Sequence, residues 1–318
     1  MVLPSAVACP AELLALRETG RVQVTDHQGW ALAAAGVLLL ERVVRLLPRR
    51  VVDGCAVWLG LLTWHILRLR RRVVMANLRL AYPEWTESTR SRVGRASFIS
   101  FMRTTFEFLD AERVLARARI ERIGEDILDR AITRGDGVYI LCCHLGNWEL
   151  MCHYGSERFR SVHVVVKPIG KGRLAQTVET MRRRRGMSVI SRDSDRKATL
   201  AIFRALKEGQ LVGFMADQRR ARGCVAPFFG RDCYTNTSLL QLWMRRRAPI
   251  VPVSLTRTGF DSFRFVVGPE LIPDAVGEDD IDLASAAAAM NRVIEGMVDM
   301  RPEQYFWMHR RWKGFENA

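Results

Sequence analysis

The chain has 318 residues, room for one large domain with an appendage or for two domains. Hydrophobic residues make up 48%, which supplies a substantial core and excludes wholesale disorder. Lys and Arg (49) outnumber Asp and Glu (34), and the formal charge of +15 suits an anionic membrane, an acidic protein or nucleic acid. Seven irregularly spaced cysteines exclude a disulfide framework and fit a reducing compartment.

Residues 1–25 show no strong periodicity and no basic segment ahead of an apolar core, so no cleavable signal peptide is read there. From Trp30 to Leu115 the pattern is helical without a convincing strand. Gly29–Leu40 and Val51–Leu67 are apolar but interrupted, and neither reaches the roughly 20 clean apolar residues of a span. Both are bordered by arginines: Arg42, Arg45, Arg49 and Arg50, then Arg68, Arg70, Arg71 and Arg72. With Trp30, Trp58 and Trp64 they read as helices at a membrane interface. Pro48 separates the two, Pro83 ends the segment Val73–Tyr82, and Thr86 caps a helix from Glu87 to Leu109. A further helix, Glu125–Thr133, closes at Gly135.

After Gly137 short β-rich runs alternate with helical ones. Strands are predicted at Gly137–Cys143, Ser161–Val166, Ser188–Ser191, Leu211–Ala216, Ile250–Leu255 and Phe263–Val267. Helices are predicted from Asn147, at Leu174–Arg185, Lys197–Lys207, Thr237–Arg246 and Ala284–Asp299. This alternation predicts an α/β fold with a largely parallel sheet flanked by helices, preceded by an N-terminal helical, membrane-associating region. The expected division is 1–120 for that region and 121–318 for the α/β domain. Asp274–Asp282 reads as an acidic surface loop, and Ala226–Gly230 as a packed turn.

Sites in such sheets lie beyond the carboxyl ends of strands, where both His144 and Asp217 fall. YILCCHLGNWEL (Tyr139–Leu150) carries an H-x-x-x-x-E spacing. On one continuous helix His144 and Glu149 would point about 140° apart. They meet if His144 ends a strand, Gly146-Asn147 turns the chain and Glu149 opens the next helix. A base with an orienting carboxylate results, near helix amides able to hold an oxyanion. The bland alternative is a backbone-satisfied His and an exposed Glu. Cys142, Cys143, His144, Cys152 and His153 lack zinc-knuckle spacing, and no metal or organic cofactor is expected. MRRRRG (Met181–Gly186) is either a solvated helix end or an anion site. Phe228 and Phe229 could wall an acyl pocket. Basic clusters near Trp307 and Trp312 suit a lipid headgroup interface; no nucleic-acid module accompanies them, so no nucleic-acid partner is expected. No G-x-S-x-G, P-loop or dinucleotide fingerprint is present.

From Arg42 to Lys313 the chain resembles the late acyltransferases of lipid A biosynthesis and the related mycobacterial mannoside acyltransferases. The resemblance rests on NLRLAYPEW (Asn77–Trp85), HLGNWE (His144–Glu149), ALKEGQLVGFMADQ (Ala205–Gln218), PFFG (Pro227–Gly230) and APIVPV (Ala248–Val253), in that order. It departs after Asp217, where Gln218-Arg219-Arg220 replaces the family's usual Tyr-Gly step. Glycerolipid acyltransferases share the His–carboxylate block, but their E-G-T-R motif is absent. The resemblance implies a membrane O-acyltransferase at the cytoplasmic face of the bacterial inner membrane. Its donor would be an acyl carrier protein thioester and its acceptor a glycolipid or phospholipid. His144 would be the general base and Glu149 its partner; Arg185, Asp217, Asn147, Phe228 and Phe229 would contact substrate. Another lipid acceptor, a thioesterase, and a basic nucleic-acid-binding protein stay open as alternatives.

Overall fold

A computed structural model describes residues 10–159, 162–166, 168–191, 195–220, 223–272 and 282–315, with only the helical backbone given for 10–27 and 195. The expectations for residues 1–9 and most of the acidic loop at 274–282 lie outside the described residues. The helical portion comprises α1 (Pro10–Leu46), α2 (Arg49–Leu62), a π-helical turn (Thr63–Leu67), α3 (Arg71–Ala81), α4 (Glu87–Leu109) and α5 (Ala111–Leu115). There follow β1 (Arg119–Ile123), α6 (Glu125–Thr133), β2 (Val138–Cys142), α7 (Trp148–Arg158), β3 (Val162–Val166) and α8 (Gly172–Arg184). The chain continues with β4 (Ser188–Ser191), α9 (Asp195–Lys207), β5 (Leu211–Met215), β6 (Cys224–Phe228) and β7 (Arg231–Thr235). It closes with α10 (Ser238–Arg245), β8 (Ile250–Gly259), β9 (Ser262–Val267), α11 (Leu283–Met300) and a 3₁₀ turn (Pro302–Gln304).

A seven-stranded sheet runs in the order β1-β9-β8-β2-β5-β3-β4, parallel throughout except for the β8–β9 hairpin. The α/β expectation is met. Strand β2 shows why its sequence reads as an unbroken apolar run. Tyr139 and Leu141 enter a core shared with α3, α4, α9 and α11, while Val138, Ile140 and Cys142 enter a core under α6 and α7. A strand covered on both faces has no solvent side to mark with polar residues.

Two features depart from the expectation. Strand β1 (RIERI) pairs with β9 at the sheet edge and is largely exposed, so it carries no apolar signature. The expected turn at 226–230 is the tip of a β6–β7 hairpin, with Phe229 and Gly230 both at positive φ. Pro227 lies inside strand β6, a position tolerated in a two-stranded ribbon and misleading in a sequence.

The N-terminal helices share the sheet's core. Trp64, Val74, Leu78 and Phe98 belong to the same apolar cluster as Tyr139 and Val212. Thr86 caps α4 as expected, accepting from the Thr89 N–H at 3.2 Å. Among the described residues, Arg49–Leu67 alone is long and apolar enough to cross a membrane, and only 28% of it is buried. Asp53, which breaks its hydropathy, is paired with Arg103 at 2.7 Å. Leu39, Leu46, Trp58, Ile66 and Leu67 all remain exposed. The cationic border is not uniform, since Arg49 is buried against Asp261 at 2.9 Å and Arg45 reaches Glu112.

Candidate active site

Strand register builds the centre of the site. β2 and β5 are parallel neighbours, with Cys142 opposite Met215. Two residues beyond that pair stand His144 and Asp217, so both leave the sheet at the same level. The His144 imidazole places Nδ1 2.8 Å from Asp217 Oδ1, and its backbone N–H donates to Oδ2 at 3.1 Å. Burial, together with this nearby carboxylate, pushes the Tyr305 phenol well up. Burial alone would push the Asp217 carboxyl up, but the His144 ring and these hydrogen bonds outweigh it and hold the group below its ordinary value. An ionised carboxylate only accepts, so Nδ1 carries the ring proton and the Nε2 lone pair is left for another partner.

Glu149 lies elsewhere. It sits in the first turn of α7 and takes a two-pronged ion pair from Arg182 of α8, with Nε at 3.0 Å from Oε2. The carboxylate touching the imidazole is therefore Asp217, not the Glu149 expected from the local spacing.

The turn between His144 and α7 is fixed by backbone bonds. Gly146 has φ +63°, and a Cβ there would lie 2.1 Å from the Leu255 carbonyl oxygen. Its N–H donates to Gln304 O at 3.1 Å, and the Asn147 N–H donates to Leu255 O at 2.8 Å. These amides, expected to be available for an oxyanion, are committed to the protein. Asn147 is fully buried: Oδ1 caps α7 at Leu150 N (2.8 Å) and Nδ2 donates to Glu107 (2.7 Å), which in turn pairs with Arg257. It is a framework residue. Gly146→Ala is expected to lower stability by more than ~2 kcal/mol, through a strained φ and a backbone clash, visible as a lower urea midpoint.

Around the imidazole stands an aromatic box. Trp148 meets the ring edge-on at 5.1 Å between centroids, Phe306 lies at 5.9 Å, and Phe101 packs on both. The Gln218 amide nitrogen lies 3.3 Å from His144 Nε2. Phe306, Phe101, Tyr305 and Gln218 are not among the residues that the sequence singles out for the site. Gln218 ends the ALKEGQLVGFMADQ run, the other three stand in no motif, and only the fold brings all four to His144.

The remaining expected residues are distributed through the core. Arg185 caps α8, stacks on Phe108 at 4.8 Å, and lies 3.3 Å from Leu109 O and 3.5 Å from Glu41. Burial pulls its basicity down despite Glu41 and Glu112 nearby. Its recorded partners are on the N-terminal helices, not at His144. Phe228 is fully buried under Trp312, and Phe229 packs among Tyr82 and Trp307. Phe228 fills the core, and Phe229, partly buried, packs against it. Burial also pushes the Cys142 and Cys143 thiols well up, which disfavours a thiolate nucleophile. Among the described residues no group of three His, Cys, Asp or Glu is placed to hold a metal ion.

His309 completes the inner layer, its Nε2 accepting the Arg219 N–H at 3.0 Å. Burial and nearby Arg311, opposed by Asp217, lower its pKa to about 4. The folded chain thus binds fewer protons than the unfolded chain below the ordinary His value of 6.5. Stability is full above about pH 6.5 and falls toward pH 4, at about 1.4 kcal/mol per pH unit from this group. Asp217 adds to the loss only near and below its own ordinary value of 3.8. Urea midpoints at pH 7, 6 and 5 should show this decline, and His309→Gln should flatten it.

A helix-flanked sheet thus aims an imidazole–carboxylate pair out of two adjacent strand ends, the region where ligands sit in α/β proteins of this kind. The family model described as bacterial lipid A biosynthesis acyltransferase matches residues 20–314. The chain belongs to this family and is an acyltransferase. It is 28% identical over 298 residues to a lipid A biosynthesis lauroyltransferase of Escherichia coli K12, covering 90% of this chain and 93% of that one. Identity to a lipid A biosynthesis palmitoleoyltransferase of the same organism is 26% over 283 residues, 84% of this chain and 86% of that one. A Haemophilus influenzae lipid A biosynthesis acyltransferase is 24% identical over 314 residues, 92% of this chain and 93% of that one.

Proposed function

We propose that the protein transfers a fatty acyl chain from an acyl carrier protein thioester to a hydroxyl of a lipid A-type glycolipid precursor. The His144–Asp217 pair carries the reading, because the carboxylate holds Nδ1 of the ring and leaves Nε2, which faces the Gln218 amide, for the substrate hydroxyl. His144 Nε2 takes the hydroxyl proton as the oxygen attacks the thioester carbonyl. The tetrahedral intermediate collapses, the carbon–sulfur bond breaks, and the carrier's thiolate leaves and recovers the proton from the imidazolium. Asp217 keeps the ring in the required tautomer and stabilises its charged form. Trp148, Phe306 and Phe101 exclude water, which favours transfer over hydrolysis.

The lauroyl and palmitoleoyl names of the relatives support a medium to long acyl group on a lipid A acceptor. The net charge of +15 supports an acidic carrier as donor. Exposed Leu39, Leu46, Trp58, Ile66 and Leu67 support attachment of α1 and α2 to the cytoplasmic face of the inner membrane. The test is incubation of the purified protein with labelled acyl carrier protein thioester and a panel of lipid acceptors. Label moving to the glycolipid is the expected result. Label on a phospholipid or aminolipid would change the acceptor, and label released as free fatty acid would make the protein a thioesterase.

A further inference from the structure

Between the start of α3 and the C-terminal segment that follows Phe306 lies a large open cavity of about 1270 Å³. Arg79 lines it, together with six further cations, Arg68, Arg70, Arg71, Arg72, Arg310 and Lys313. Only Arg79 is neutralised, by Glu87 at 2.8 Å. Arg71 lies over the Trp64 ring at 4.8 Å, and Arg68 donates to the His65 carbonyl at 3.3 Å. Among the described residues no carboxylate pairs with the six lining cations. Such a concentration of like charge repels itself unless an anion occupies the cavity.

The backbone is arranged against its own electrostatics as well. Helix α3 starts on Arg70 with no side-chain cap and no acid in its first turn, and its first two residues are Arg71 and Arg72. Cations at the positive end of a helix are the reverse of the stabilising arrangement, and the first-turn N–H groups other than that of Arg71, which donates to the Arg68 carbonyl at 3.3 Å, are anion donors. Arg68 and Arg70 both hold left-handed backbone, φ 50° and 60°, which residues with a Cβ seldom adopt. Local strain and local repulsion thus fall on the same turn.

Position then selects the anion. Ile66, Leu67 and Leu69 stand exposed beside the cavity, continuous with exposed Trp58 on α2. A cationic hollow bordered by apolar side chains fits the plane of lipid headgroups better than the surface of a soluble protein. We propose that this cavity binds the phosphate of an anionic membrane-lipid headgroup, with Arg70, Arg72, Arg310, Lys313 and the α3 N-terminus as donors. Asn77 of α3 donates to the Trp307 and His309 carbonyls at 2.7 and 2.6 Å, and Phe306 of that segment packs on His144. Headgroup binding therefore seats the segment that walls the active site. The inference rests on the membrane-enzyme reading above and names the lipid chemistry it uses.

The test measures binding of the full chain to phosphatidylcholine vesicles with and without 20% phosphatidic acid (about one lipid in five, enough for a clear surface charge). The variant is Arg70→Gln/Arg72→Gln/Arg310→Gln. Arg92→Gln/Arg95→Gln/Arg184→Gln, exposed elsewhere, is the matched charge control. The cavity variant should bind the anionic vesicles about 100-fold more weakly, from three basic residues near the surface, with the control close to wild type. Equal weakening in both, or in neither, overturns the proposal. So does a cavity variant that loses affinity for acyl carrier protein but keeps its vesicle binding, which would make the hollow a protein-docking site. Inorganic phosphate bound as tightly as the vesicles would reassign it to a free ion. Vesicle binding is read without turnover, so a wild-type protein that binds vesicles yet transfers no acyl group would sink the enzymatic reading alone.

Discussion

His144→Ala is expected to lose acyl transfer by about 10²–10⁴-fold, the usual contribution of a positioned general base. The loss should fall on kcat. The imidazole is held between Asp217 and the aromatic box, beyond the strand end, so its removal takes little from the core. Asp217 keeps its bond from the residue 144 N–H, which limits the cost of stranding a buried carboxylate. His144→Gln is the companion variant. A glutamine amide can still donate to Asp217 while offering no titratable base, so it separates lost chemistry from lost packing. Both variants should elute as folded monodisperse protein and show single-turnover rates near background with labelled thioester and glycolipid. A rate within threefold of wild type in either would remove His144 from the mechanism.

Much of this arrangement is legible in the sequence because strands here are announced by local chemistry. β2, β5 and β8 are short apolar runs opened by turns, and such runs need no distant information to be recognised. That His144 and Asp217 end strands was legible for the same reason. Their adjacency was not. It depends on β5 inserting beside β2 in the sheet, with β3 and β4 outside it, and no local pattern encodes strand order. Lacking that, the spacing H-x-x-x-x-E suggested the nearest carboxylate as partner. The turn at Gly146-Asn147 does bring Glu149 into the first helical turn, as read. The helix then presents Glu149 to α8, where Arg182 takes it. The four arginines of 182–185 looked interchangeable in sequence. Folding gives Arg182 to Glu149, Arg183 to Glu179 and Arg185 to Phe108 and Glu41, leaving Arg184 exposed. Strand β1 and the β6–β7 hairpin escaped notice because edge exposure and Pro227 erase the alternation on which strand reading depends.

The second large effect separates the two carboxylates. Asp217→Asn should lower kcat by about 10²–10⁴-fold with little change in KM, the range in which loss of an orienting carboxylate behind a catalytic histidine falls. The reason lies in hydrogen-bond bookkeeping at one buried side chain. Asp217 accepts from His144 Nδ1–H on one oxygen and from the His144 N–H on the other. Asparagine has a single acceptor oxygen, so its NH₂ must face one of these donors or turn toward the ring. If it turns toward the ring, Nδ1 becomes the acceptor and the proton moves to Nε2, where the lone pair is needed. Glu149→Gln acts on a different contact. It weakens an ion pair joining α7 to α8, in which Arg182 is buried and Glu149 nearly so, and should cost about 3 kcal/mol of stability, the low end for a broken buried pair because Gln still accepts one bond. Its kcat deficit should track the fraction unfolded and recover on cooling, whereas that of Asp217→Asn should persist at every temperature. If Glu149→Gln were instead fully folded and as inactive as Asp217→Asn, Glu149 would belong with His144 after all, and the Arg182 pair would be the resting state of a carboxylate that moves during the reaction.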